Sequence, residues 1–112
     1  MKNAILTLLL MLVALGLFAH PASDVTLNYD AKTMLLTVTY DHTVKNPADH
    51  YIESVVIKVN GKEIITQNLP AQEAASGGAL VYKMIGVKSG ALIEATVTCN
   101  KTGKKTGKLP IK

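Results

Sequence analysis

The segment 51–69 constrains the fold more than any other part of the chain. It reads YIESVVIKV, then Asn60-Gly61, then KEIITQNL, so two runs rich in β-branched residues flank a two-residue break. Both central residues of a type I′ turn need a positive φ, and Asn-Gly is the pair that adopts it most readily between alternating apolar runs. The segment therefore predicts strands over 51–59 and 62–69 that pair as an antiparallel hairpin.

Short alternating apolar runs, separated by polar or glycine-containing turns, continue through the chain after residue 22. Alternation with a period of two is typical of half-buried strands. Further strands are predicted over 25–29, 34–40, 79–85, 91–99 and 104–111, with loops over 42–49 and 70–78. About seven short strands with regular turn signals predict an all-β fold, an immunoglobulin-like antiparallel β-sandwich. A small closed barrel is the alternative.

Two of these strands have a clear inward face, because alternate residues of a strand point to the same side of a sheet. The predicted inward positions are Leu36, Val38 and Tyr40 in one strand and Ile93, Ala95, Val97 and Cys99 in another. The sequence holds four Tyr and no Trp, so the core is expected to be mostly aliphatic.

Residues 1–19 have the order of a secretory signal peptide. MKNAILTLLLMLVALGLFA opens with a lysine, continues with an aliphatic core and closes on Leu17-Phe18-Ala19. The apolar run is shorter than the roughly 20 residues that a membrane helix needs. The prediction is a signal peptide over 1–19 and one domain over 20–112, periplasmic or secreted, without stable membrane insertion after cleavage. Cleavage after Ala22 and an uncleaved anchor are the alternatives.

Charge is concentrated at the C-terminal end. The chain has a formal net charge of +4, and its last twelve residues, KTGKKTGKLPIK, hold five lysines and no acid. We interpret this segment as a solvated edge strand, since lysine on an edge discourages aggregation. Without arginine, and with export predicted, a nucleic-acid partner is not expected. The expected partner is a protein or a small molecule of unknown identity.

The predicted domain holds three histidines, His20, His42 and His50, and one cysteine, Cys99. Imidazole and thiolate are the side chains that transition metals prefer. A single cysteine cannot form an internal disulfide, and an exported thiol is a liability unless it is buried, bound to metal or paired with another chain. The spacing matches no dense local motif, so a metal site would be assembled across loops. The alternative is three surface histidines and a buried thiol.

The order of these residues resembles that of a known family. His20-Pro21 near the start of the domain, the loop NPADHYI and the late CNKTG are similar to segments of the iron-binding domain of superoxide reductases (desulfoferrodoxin and neelaredoxin). The resemblance implies an immunoglobulin-like β-sandwich and a ferrous iron held by four histidines in a plane and an axial cysteine thiolate. By this resemblance, His20 and His50 match two of the histidines, Cys99 matches the cysteine, and Asn100 and Gly103 match its neighbours.

The chain also departs from the family pattern. Asn46 and Thr102 stand where the two other histidines are expected, and His42, from the same loop region, is a candidate replacement. The resulting set of His20, His42, His50 and Cys99 suits one transition metal ion, with copper or zinc accommodated at least as well as iron. If cleavage follows Ala19, the α-amine and imidazole of His20 together also chelate Cu(II).

These departures predict an exported metal- or partner-binding protein without ordinary superoxide reductase activity, and no catalytic residue is assigned. Two alternatives stay open. One is a metal-dependent redox protein with iron or copper, such as a variant superoxide reductase. The other is a periplasmic copper-binding protein that uses His20 as its N-terminal residue.

Overall fold

The computed structural model describes residues 20–112, and the predicted signal peptide over 1–19 lies outside the described residues. Seven β-strands make up the domain. They are β1 (Asp24–Asp30), β2 (Leu35–Asp41), β3 (Ile52–Val59), β4 (Lys62–Asn68), β5 (Gly77–Lys83), β6 (Leu92–Cys99) and β7 (Lys104–Pro110).

The strands form two antiparallel sheets, one of three strands in the order β1-β2-β5 and one of four strands in the order β4-β3-β6-β7. The prediction of a seven-stranded antiparallel β-sandwich is confirmed, and the two separate sheets rule out a closed barrel. The lysine-rich β7 is an edge strand, as predicted from its composition. Within residues 20–112, no helix is long and apolar enough to cross a membrane.

The predicted Asn60-Gly61 turn joins β3 to β4. Val59 pairs with Lys62, so the loop has two residues, and both of them have positive φ, 52° for Asn60 and 80° for Gly61. The primed turn matches the right-handed twist of the two strands. Strand β3 also pairs with β6 on its other side, which makes it a central strand of the larger sheet.

Most strand boundaries differ from the sequence prediction by one or two residues, and two of these differences have a clear cause. Strand β2 begins at Leu35, because Met34 has a φ of 62° and belongs to the turn after β1. Strand β5 begins at Gly77, although the sequence placed Gly77 and Gly78 in a loop. Gly77 has a φ of 143°, and a Cβ there would lie 2.0 Å from the carbonyl oxygen of Tyr40, so only glycine can pair at this position.

The core lies between the two sheets and follows the period-two pattern. The predicted inward positions of β2 and β6 are all buried, with Leu36, Val38, Ile93, Ala95 and Val97 at 0% exposure. Strand β3 contributes Ile52, Val55 and Ile57, and β1 contributes Val25 and Leu27. The inward residues of β2 and β6 continue to the same end of the sandwich, where the chemistry-bearing side chains lie.

The contrast between Ile57 and Ile64 tests this packing. Ile57 is fully buried in β3, whereas Ile64 in the neighbouring β4 is 51% exposed. We expect Ile57→Ala to lower the free energy of unfolding by about 2–5 kcal/mol, since it leaves a cavity. The same substitution at Ile64 should change it by no more than about 0.5 kcal/mol. Urea unfolding measures both, and equal losses would contradict this core.

Candidate metal centre

His42 continues the inward alternation of β2. Leu36, Val38 and Tyr40 point into the core, and His42, the next inward position, lies just beyond the last residue of the strand. Its side chain has 0% exposure. Its backbone N–H donates to the carbonyl of Ser76, 3.0 Å away, which fixes the chain there. The reading of three surface histidines is therefore wrong for His42.

Cys99 and His50 meet at the same end of the larger sheet. Cys99 is the last residue of β6, it is buried, and it pairs with Ile52 at the start of β3. His50 lies two residues before Ile52 and is half-buried. The Nε2 of His50 is 3.1 Å from the Sγ of Cys99, and the N–H of Lys101 donates to the same sulfur at 3.4 Å.

His42, His50 and Cys99 form one cluster. One nitrogen of each ring and the Sγ of Cys99 all lie within 4.8 Å of one another, and the rings of His42 and His50 are 4.8 Å apart between centroids. Donors bonded about 2.0–2.3 Å from one ion, at angles of 90–110°, are themselves about 3–3.6 Å apart. The cluster could hold a metal ion if its side chains close by about 1 Å.

His20 lies beside this cluster with its side chain exposed. The centroid of its ring is 5.2 Å from that of His42 and 5.4 Å from that of His50. Its Nδ1 faces the carbonyl of Pro21 at 3.0 Å. The backbone of His20 comes closer than its ring, because its carbonyl oxygen is 3.1 Å from the Nε2 of His42. The structure thus places all four predicted residues at one end of the sandwich, with three of them in the cluster.

Gln72 is the residue of this site that the sequence did not reveal. It lies in the loop before β5 and is 5% exposed. Its amide nitrogen donates to the carbonyls of His42, at 2.7 Å, and Ala74, at 2.9 Å. Its Oε1 accepts the N–H of Ile52 at 3.3 Å and faces the Nδ1 of His42 at 2.8 Å. An isolated glutamine in a loop of small residues is ordinary, so only the fold shows its role.

The contacts of Gln72 favour the Nδ1-protonated tautomer of His42. Since the amide nitrogen of Gln72 points at two carbonyls, its Oε1 is an acceptor, and the Nδ1 of His42 must carry the proton to bond it. The Nε2 is then left with a lone pair. A buried polar partner that sets the tautomer of a ligand histidine is a regular feature of metal sites. The bare Nε2 faces the His20 carbonyl.

Asn100 holds the backbone on both sides of His50. Its Oδ1 accepts the N–H of Tyr51, and its Nδ2 donates to the carbonyl of Asp49, both at 2.9 Å. Its own N–H donates to the carbonyl of Tyr51 at 2.9 Å. An exposed ion pair of 3.6 Å between Lys101 and Asp49 links the same two loops. The asparagine after Cys99 therefore orients His50 toward the sulfur.

The environment of His50 lowers its pKa below the ordinary value of 6.5. Burial is the largest cause, followed by the charges of His42, His20 and Lys101, while a hydrogen bond to the backbone of His20 acts in the opposite direction. At neutral pH the ring is therefore uncharged. A proton competes with a metal ion for its lone pair only below that lowered pKa.

Asn46 and Thr102, which stand where the superoxide reductase pattern has histidines, have other roles in this chain. Asn46 caps the loop, since its Oδ1 accepts the N–H of Ala48 and its carbonyl accepts the N–H groups of Asp49 and His50. Thr102 is exposed in the turn between β6 and β7. His42 lies in the cluster.

Neither the protein-family models nor the curated protein sequences contain a match to this chain. The similarity to superoxide reductases therefore stays a prediction from the sequence, and the functional argument depends on the geometry of the cluster.

Gln72→Leu tests the role of this amide. We expect it to lower the free energy of unfolding by about 2–4 kcal/mol, because it leaves buried groups without partners. In addition, ¹⁵N NMR of the metal-free variant should show His42 losing its single Nδ1-protonated form. Gln67→Leu, on the half-exposed face of β4, is the matched control and should leave the ring unchanged. A His42 tautomer that is the same in all three proteins would contradict the assignment.

Proposed function

We propose that this domain is an exported transition-metal-binding protein that holds one ion through His42, His50 and Cys99. The observation that carries the proposal is the convergence of these three donors within 4.8 Å at one end of the sandwich. Gln72 and Asn100 support it from outside, because each orients one of the two imidazoles. Export follows from the predicted signal peptide and is part of the proposal.

The donor set favours copper or zinc over iron(II). Two imidazoles and one thiolate are borderline to soft ligands, and for such sites affinity rises from Fe(II) toward Cu(II), with Zn(II) close behind. Carboxylates, which suit harder ions, are not in the cluster. The three donors together would chelate one ion of this class.

Binding, rather than turnover of superoxide, is the proposed activity. The similarity to superoxide reductases supports a common origin of the Cys99 and His50 positions, but the reaction in that family depends on four imidazoles around iron. Here Asn46 and Thr102 replace two of them. A single ion held by fewer imidazoles has a different affinity and potential. We therefore propose a protein that stores, buffers or carries the ion.

The metal content of the exported protein tests this function. The chain, produced with its own N-terminal segment, is loaded anaerobically with Zn(II), Cu(I) and Fe(II) in turn and analysed for metal per chain. We expect one ion per chain with zinc and copper, and weaker retention of iron. Loading with Co(II) as a stand-in for zinc should give a thiolate charge-transfer band.

Two variants distinguish the contribution of the Cys99 thiolate to metal binding from the effect of removing a buried side chain. Cys99→Ala should remove the band and weaken binding by more than the roughly 10–100-fold that loss of an outer partner costs. Val97→Ala, a buried neighbour on the same face of β6, should keep both the band and the stoichiometry. No ion after all three loadings, or a Cys99→Ala variant that binds the ion as tightly as the unsubstituted protein, would falsify the proposed function.

A further inference from the structure

We propose that the carbonyl oxygen of His20, and not its imidazole, is the fourth donor of this metal site. The inference rests on the proposed function, and it names how the site is completed. The sequence drew attention to the side chain of His20. The geometry instead points to the peptide bond between His20 and Pro21.

The first argument is the contact between His20 and His42. The carbonyl oxygen of His20 is 3.1 Å from the Nε2 of His42. Both nitrogens of the buried His42 ring face oxygens that only accept, the Oε1 of Gln72 at 2.8 Å and this carbonyl at 3.1 Å, and a neutral ring has one proton for the two. With that proton on the shorter contact to Gln72, the Nε2 presents a lone pair to the carbonyl oxygen. An imidazolium would satisfy both contacts but would bury a charge at a position of 0% exposure.

A cation bound by both atoms removes this conflict. Two donors on one ion, at a right angle and at ordinary bond lengths, lie about 3 Å apart, which is the separation observed. His20 also lies next to His50, since the centroids of their rings are 5.4 Å apart.

The second argument is that this carbonyl is held in place. Ala22 is buried in the core at 3% exposure, and the N–H of Ser23 donates to the carbonyl of Asp41 at 2.8 Å, which extends the pairing of β1 with β2. Pro21 packs against the turn that follows Cys99, where a Cβ on Gly103 would lie 3.0 Å from the Cβ of Pro21. The segment before β1 is therefore fixed against the strand that carries the thiolate.

The imidazole of His20 is in a different situation. It is exposed, it bonds the carbonyl of the next residue, and no nitrogen of its ring belongs to the group of donors within 4.8 Å. Two imidazoles, one thiolate and a weak backbone oxygen form the donor set of copper sites that exchange electrons. The inference thus narrows the proposed ion toward copper.

A single carbonyl signal tests the proposal. His20-Pro21 is the only His-Pro pair in the chain, and Asn46-Pro47 is the only Asn-Pro pair. Protein exported with its own N-terminal segment and labelled with ¹³C-carbonyl histidine and ¹⁵N-proline therefore gives one signal for the His20 carbonyl. A second sample with ¹³C-carbonyl asparagine reports Asn46 as a control next to the site. Both are titrated with Zn(II), which is diamagnetic.

Coordination withdraws electrons from a carbonyl carbon. We expect the His20 signal to move to higher frequency, saturate at one Zn(II) per chain and move several times further than the Asn46 signal. His20→Ala should retain the stoichiometry and bind within about threefold of the unsubstituted protein, because alanine keeps the carbonyl.

Other outcomes overturn the inference in distinguishable ways. The carbonyl is not the fourth donor if one Zn(II) binds and the His20 carbonyl signal either does not move or moves to lower frequency. It is also not the fourth donor if His20→Ala loses the ion. In the first case the site with three donors stands, and in the second the imidazole of His20 belongs to it. A mature chain that begins at Ser23 lacks the His20 carbonyl, so a site with one Zn(II) in that chain would also show that this carbonyl is not a donor. If Zn(II) does not bind, the titration is repeated with Cu(I), which is also diamagnetic. If none of Zn(II), Cu(I) and Fe(II) binds to the unsubstituted protein, the proposed function and this inference fail together.

Discussion

The end of the sandwich that carries the site depends on one buried amide. Gln72 bonds the carbonyl and the ring of His42, which follows β2 of the smaller sheet, and the N–H of Ile52, which opens β3 of the larger sheet. All of its donors and acceptors are used inside the protein. A fully satisfied buried amide specifies one arrangement, because any shift leaves several polar groups without partners. The same contacts that join the two sheets also set the direction of the imidazole.

The strands and the core could be predicted from the sequence because one local rule determines both. Burial with a period of two depends only on the alternation within each strand, and it placed Val38 and Val97 inward correctly. The Asn60-Gly61 turn is equally local. Met34 escaped prediction because a methionine rarely adopts the positive φ that it has in the turn after β1, and Gly77 because a neighbouring strand sets its conformation. The close approach of the Tyr40 carbonyl to Gly77 cannot be read from the residues around that glycine.

The site could be predicted only in part, for a related reason. The types of the four candidate residues were visible, and the resemblance to superoxide reductases singled out His20, His50 and Cys99, of which His50 and Cys99 lie in the cluster. The alternation of β2, carried two residues past Tyr40, would have predicted that His42 is buried. Pro47 and the absence of a period in the following loop obscured that signal. Gln72 could not be found, since its partners His42 and Ile52 are 30 and 20 residues away.

The cluster also explains why a small domain tolerates polar side chains at the edge of its core. An apolar residue at Cys99 or His42 would pack as well and would need no partners. The buried ring of His42 faces two acceptor oxygens, that of Gln72 at 2.8 Å and that of His20 at 3.1 Å, and a neutral imidazole has one proton for the two of them. An ion that binds only the folded chain raises the free energy of unfolding, by an amount that grows with the logarithm of the ion concentration over its Kd. The amide of Gln72 holds His42 without an ion. The fold thus brings the donors of the proposed site near one another, and they would close by about 1 Å on an ion. Such a site differs from small domains that fold only around their metal.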